Sequence, residues 1–196
     1  MEEPAAVVPA RVRTDRLEIV PGTAALGRAE MGDRARFAAL LGAEVPASWP
    51  PPENDETTMA FFTEYVEKHP DSVGWAAWYI LLVGEDNRKT AIGSCGFTAR
   101  PDDTGTVETG YSILPEHQRR GYAPEAVAAI VDWAFGHPAV TRVIAHTFPA
   151  LRQSIRVLEK CGFTLTGPGA EEGTIRFERR PSPESRPESR VPPATP

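Results

Sequence analysis

Cysteine is scarce in this chain: the two residues among 196, Cys95 and Cys161, lie too far apart to suggest a metal-ligand pair. The four histidines, His69, His117, His137 and His146, form no cluster either, so no metal site is expected. No apolar run approaches the roughly eighteen residues that a membrane-spanning helix needs. The opening MEEPAAVVPARVR lacks the basic-then-apolar layout of a secretory signal, and the expectation is a cytoplasmic protein with no membrane partner. Positive charge is also in deficit, 21 Lys and Arg against 27 Asp and Glu, for a net charge of -6. That balance argues against general binding to nucleic-acid phosphates and mildly favours cationic partners such as amines. There is no internal repeat.

What the chain does contain is enough apolar sequence, 41% of its residues, for one domain with a real core. That domain is expected over residues 13–180, after a flexible start at 1–12. A disordered tail is expected at 181–196, because PSPESRPESRVPPATP carries one large apolar residue, Val191, and cannot offset the entropy of ordering. Within the domain, Leu17 and Ile19 alternate with polar neighbours before Pro21 and Gly22, as a strand ending in a turn does. Residues 23–41 show loosely helical apolar spacing and predict one or two short helices. Pro50, Pro51 and Pro52 then break regular structure ahead of a helical stretch from Glu56 to Lys68. AAWYILLVGED and TAIGSCGFTAR predict an antiparallel hairpin. In TVETGYSIL, a third strand, Val107, Tyr111 and Ile113 share one face while Glu108, Ser112 and Leu114 share the other. A helix from about Pro124 to Phe135, the strand VTRVIAHTF, the helix ALRQSIRVLEKCGF and a closing hairpin complete the order. Strand-helix-strand implies a parallel pair, so the fold class is α+β with a mixed central β-sheet flanked by helices.

One stretch carries chemistry. HQRRGYAPEA, residues 117–126, follows a strand and opens a helix, and a helix start presents unpaired N–H groups and the positive end of its dipole to the loop. Gly121 permits close backbone approach or positive φ, Ala123 keeps the entrance small, and Pro124 suits a first helical turn. Arg119 and Arg120 add charge-assisted bonds of about 1.5–3 kcal/mol each where desolvated, against roughly 0.5–1.5 for an ordinary amide bond. A diphosphate suits this arrangement; a solvated basic turn is the bland alternative.

The spacing Gln118-x-x-Gly121-x-Ala123 resembles the pyrophosphate loop of the GNAT superfamily of acyl-coenzyme A dependent N-acyltransferases. TDRLEIVP, VETGYSILPEHQRRGYAPEAVAAIVDWAF and SIRVLEKCGF extend the resemblance from about Arg13 to Glu178, nearest in pattern to the branch that includes ribosomal-protein N-terminal acetyltransferases. The resemblance implies a GNAT-type sheet whose parallel strand pair is splayed around the cofactor by a bulge, and acetyl-coenzyme A as the acyl donor. It places cofactor contacts on Ile113 and Leu114 at the strand end and on Gln118, Arg119, Arg120, Gly121, Tyr122 and Ala123 in the loop.

The implied reaction is direct attack by a primary amine, either a peptide α-amino group or a small molecule, with a main-chain N–H stabilising the oxyanion. No cysteine nucleophile is needed, and Cys95 and Cys161 are read as packing residues. Glu108 is the leading candidate base, with Glu171 and Glu172 in reserve; the alternative for Glu108 is a structural strand carboxylate. Many relatives protonate the leaving thiolate with a tyrosine in the last helix, where this chain has Leu158; Ser154 is the candidate that replaces it, or else merely a helix-start hydrogen-bonding residue. Leu151 and Pro124 also stand where relatives carry asparagine and threonine, which removes side-chain contacts to the cofactor. The expected assembly is a monomer or homodimer. A non-catalytic acyl-coenzyme A sensor of the same fold, or a general nucleotide-phosphate binder, are the rival readings.

Overall fold

The computed structural model describes residues 8–182. Eight strands form one sheet in the order β1-β2-β3-β4-β5-β6-β8-β7. The strands are β1 Val12–Arg13, β2 Leu17–Pro21, β3 Ala77–Val83, β4 Lys89–Phe97, β5 Thr106–Ile113, β6 Arg142–Thr147, β7 Thr164–Pro168 and β8 Ile175–Arg179. Every neighbouring pair is antiparallel except β5 and β6, which are parallel. The α+β mixed sheet thus stands as expected, with the parallel pair where the strand-helix-strand order put it.

Helices cover both faces. On one, α4 (Tyr122–Phe135) and α5 (Arg152–Lys160) pack on a core that includes Ile80, Val107, Ile113 and Val143. The α4 stripe of Val127, Ile130, Val131 and Ala134 is wholly buried, and each of its larger side chains contributes about 1.5–3 kcal/mol relative to an exposed position. On the other face, α1 (Ala24–Gly32) and α2 (Arg34–Leu41) lie over Val20, Tyr79 and Leu81, and α3 (Glu56–Lys68) packs through Val66 on Val73 and Ala76. Strand β3 is apolar along its length because both faces are covered: Trp78 and Ile80 meet α4's core, Tyr79 and Leu81 the other. The short helices start where their caps are. Thr23, Asp33 and Asp55 accept from the N–H groups of Leu26, Arg36 and Thr58, and Gly42 ends α2 at φ 66°.

Three details differ from the sequence reading. Helix α4 begins at Tyr122, so Pro124 is its third residue rather than its first; the site still tolerates proline because no amide in the first turn has a helical acceptor. No bulge parts β5 from β6: β5 runs in continuous register with β4 from Thr109 to Ile113, and the parting begins after Glu108. The recorded irregularity in that half of the sheet lies between β3 and β4, at Ile80 and Leu81. Folded structure also reaches slightly past the expected start, since β1 includes Val12 and the Arg11 side chain bonds Glu18. Of the expected tail, all but Pro181 and Ser182 lies outside the described residues, as does most of the expected flexible start.

Glu18 shows how the edge is secured. It is 2% exposed, and Arg11, Arg13 and Lys89 all reach its carboxylate. Burial pushes its carboxyl upward, but Lys89 and Arg11 outweigh that and hold it at about 2.

Candidate active site

The parallel ladder between β5 and β6 is three residues long, Thr106 to Glu108 against Arg142 to Ile144. Beyond it the strands part, and β5 continues beside β4 alone. Leu114 N–H donates to Ile92 at 2.8 Å and Thr98 N–H donates to Glu108 at 3.0 Å, which directs the even-numbered β5 main-chain groups toward β4. By strand alternation the N–H groups of Tyr111 and Ile113 face the gap. Of the two strand-end residues singled out in sequence, Ile113 therefore presents a free donor there. Leu114 does not: it is fully buried, its N–H serves Ile92 and its carbonyl accepts from His117 at 2.9 Å.

The loop at the start of α4 is built from main chain. Arg119 and Gly121 both adopt left-handed backbone, at φ 61° and 82°. Among the described residues, the amides from Arg119 to Ala123 have no hydrogen-bond acceptor. Such a run of open N–H groups at the positive end of a helix is an anion cradle. A Cβ on Gly121 would lie 3.3 Å from the Arg16 guanidinium, so the glycine serves both its φ and this close approach. The side chains of Gln118, Arg119 and Arg120 point away from the core and are exposed, except that Gln118 Nε2 returns to donate to the Ile113 carbonyl at 2.9 Å. That bond ties the loop to the lip of the gap.

Arg16, which sequence reading passed over, is the strut of this loop. It donates to the Arg120 carbonyl at 3.0 Å, pairs with Glu125 at 2.5 Å and lies 4.6 Å from the centre of the Tyr122 ring. Thr14 also donates to Glu125. Burial pushes the Glu125 carboxyl up, but Thr14 and Arg16 hold it below the usual range, so it stays ionised and paired. The TDRL turn before β2 therefore fixes a loop more than a hundred residues away.

Below the gap, on the α1–α3 side, Glu108 Oε1 lies 2.7 Å from His146 Nδ1. The register of Glu108 with Ile144 sets His146 one alternation further along the same face. Their side chains are 36% and 17% exposed respectively, so the pair is reachable yet sheltered. The closing hairpin covers it: a Cβ on Gly169, between β7 and β8, would sit 3.0 Å from the His146 ring. Glu171 and Glu172 stand exposed at the tip of that hairpin.

On the opposite side, Ser154 at the start of α5 meets Tyr111. The tyrosine hydroxyl donates to the Ser154 carbonyl at 3.0 Å and lies 3.0 Å from its Oγ. Burial pushes the Tyr111 phenol up to about 12, so it is a protonated donor. Leu158 is 1% exposed in the core, and both cysteines are buried. Cys161 Sγ donates to the Pro124 carbonyl at 3.3 Å, which makes it a packing contact of α5 on α4. Among the described residues, no three His, Cys, Asp or Glu side chains are grouped as a metal site would require. None of the described helices is long and apolar enough to cross a membrane.

Solved structures of this shape are acetyltransferases: that of Agrobacterium tumefaciens str. C58 covers 92% of this chain and 100% of its own at TM-score 0.59 and 22% identity. The Microcin C7 self immunity acetyltransferase MccE, solved in complex with acetyl-CoA and AMP, covers 85% of this chain and 93% of its own at TM-score 0.55 and 16% identity. In sequence, Uncharacterized N-acetyltransferase YjdG of Bacillus subtilis (strain 168) is 32% identical over 131 residues, 67% of this chain and 76% of that protein. The acetyltransferase (GNAT) domain family matches residues 26–164, and the chain belongs to it.

Proposed function

We propose that the chain transfers an acetyl group from acetyl-coenzyme A to a primary amine by direct attack. The observation that carries this reading is the run of open amides from Arg119 to Ala123 beside the parted strands. That cradle fits a diphosphate, and the gap offers the Tyr111 and Ile113 N–H groups to an extended, amide-bearing arm. Acetyl-coenzyme A supplies an activated thioester carbonyl when bound.

The chain's own residues do the rest. A main-chain N–H of β5 at the gap stabilises the negative charge that develops on the carbonyl oxygen. Glu108 takes a proton from the acceptor's ammonium, directly or through water, to give the neutral amine that attacks, while His146 holds the carboxylate in place. As the new C–N bond forms and the C–S bond breaks, the Tyr111 and Ser154 hydroxyls, already hydrogen-bonded to each other, supply a proton or hydrogen bond to the departing sulfur. An α-amino group, near 7.7–8.0, is the easier acceptor than a lysine, near 10.4, by about 3.5 kcal/mol of deprotonation.

Thiol release from acetyl-coenzyme A, measured over a panel of amines and peptide N-termini, tests the assignment. Turnover on at least one amine is expected. Tight acetyl-coenzyme A binding with no turnover on any acceptor would reassign the protein as an acyl-coenzyme A sensor. Competition by ATP at equal affinity would reduce it to a nucleotide-phosphate binder.

A further inference from the structure

A second carboxylate lies beneath the helical insert, on the same face of the sheet as Glu108. Glu30, on α1, is partly buried and accepts three hydrogen bonds from two other segments. Trp49 Nε1 at 2.9 Å and Asn54 Nδ2 at 3.3 Å reach Oε1, and the Tyr79 hydroxyl at 2.7 Å reaches Oε2. All three donors are neutral. Among the described residues no Lys, Arg or His forms an ion pair with Glu30, whereas Glu18 has three cations. Three convergent donors favour the ionised carboxylate, while burial opposes it and raises its pKa. A carboxylate has about four acceptor positions, so three donors leave one unused.

A small cleft, open to solvent, adjoins Glu30. Thr23, Asn54, Phe62, Tyr79 and Ser94 line it, giving hydroxyl, amide and aromatic surface suited to an ammonium on an alkyl chain. Its position relative to the acetyl-transfer site is fixed. Tyr79 pairs with Ser94 and Ser94 with Ser112, so the cleft and β5 share a row across three strands, each step about 4.8 Å. Ser112 Oγ also donates to the Pro52 carbonyl, tying the loop that carries Trp49 and Asn54 to the strand that carries Glu108.

We infer that the acceptor carries a second, cationic group and that Glu30 receives it while a different amine reaches Glu108. The acceptor class is then a diamine or a longer polycationic amine. This rests on the acetyl-transfer reading for the reacting end only; capture of the cation by Glu30 is measurable without it.

The test uses the full chain and α,ω-diaminoalkanes from diaminopropane to diaminooctane, each against its monoamine of equal length. In calorimetry without acetyl-coenzyme A, the wild-type chain is expected to bind a diamine at least tenfold more tightly than the matching monoamine. Glu30→Gln is expected to erase that preference and, in turnover, to raise KM for the diamine at least tenfold with kcat and acetyl-coenzyme A affinity unchanged. Met59→Lys, which places a tethered ammonium at the same cleft, is expected to remove the preference with Glu30 intact, and it decides the matter if Glu30→Gln fails to fold. Equal binding of diamine and monoamine by the wild-type chain, or an unchanged diamine affinity in a folded Glu30→Gln protein, overturns the inference. Diamine capture lost in Glu30→Gln but unaccompanied by thiol release supports the Glu30 site and counts against acetyl transfer instead.

Discussion

The two sides of the parted sheet are made of different material. On the proposed cofactor side the open groups are main-chain amides, those of Arg119 to Ala123 and the gap-facing N–H groups of β5. On the proposed acceptor side they are side chains, Glu108 with His146 and Glu30 with its three neutral donors. Main-chain donors come with the loop conformation and tolerate many side chains. Side-chain constellations need particular residues from distant segments, and a single substitution alters them. Selectivity for the acceptor can therefore change while the donor site stays the same.

Substitutions that break this division should do so unequally. The largest effect is expected from Gly121→Glu, which forces a side chain onto left-handed backbone and sets an anion beside the cradle. Calorimetry should show acetyl-coenzyme A affinity falling by about a thousandfold or more, with Gly121→Ala separating backbone strain from charge. Retained affinity in the glutamate variant would sink the loop assignment. Next comes Glu108→Gln, expected to lower kcat by about a hundred- to a thousandfold while cofactor affinity holds; unchanged turnover would exclude Glu108 as the base.

Glu18 sharpens the contrast from another side, because it is a carboxylate closed by cations rather than left open. Its folded pKa is depressed to about 2 from an ordinary 4.5, so its stabilisation is present above pH 4.5 and lost as pH falls toward 2. Glu18→Gln should cost on the order of 2 kcal/mol at neutral pH, with the difference from wild type shrinking across that acid window in urea melts. The smallest effect is expected from Arg119→Ala and Arg120→Ala. Both side chains are exposed, and each loss should weaken acetyl-coenzyme A binding by only a few-fold, with salt narrowing the difference. A hundredfold loss from either would mean that side chains, not amides, hold the donor.

The sequence disclosed the main-chain side far better than the other. Gly121 in its basic loop, the apolar stripe of α4 and the strand-helix-strand order all follow from local rules of backbone and periodicity, and each is present in the fold. Helix α3 even keeps its expected limits, Glu56–Lys68, because Asp55 caps it. The side-chain partners were hidden for a physical reason. His146 meets Glu108 only through the register of a parallel pair, and nothing local to VTRVIAHTF states that register. Arg16 and Glu125 are more than a hundred residues apart, and Glu30 gathers donors from the proline-rich loop and β3. Alternation alone put Glu108 on the right face; its partner required the fold. Ser154 was legible as a polar helix start, but Tyr111, read only as sharing a strand face with Val107 and Ile113, supplies the hydroxyl that meets it.

The three-residue ladder between β5 and β6 has a consequence for mechanics. Among the described residues it is the only strand pairing that joins β1–β5 to β6–β8, a short seam backed by the core that Ile80, Val107, Val143 and Phe177 share. A ligand bound in the gap as proposed, and touching both β5 and β6, would stand in for missing rungs and lengthen that seam. Occupancy should then slow amide exchange in β6 and β8 as well as in β5.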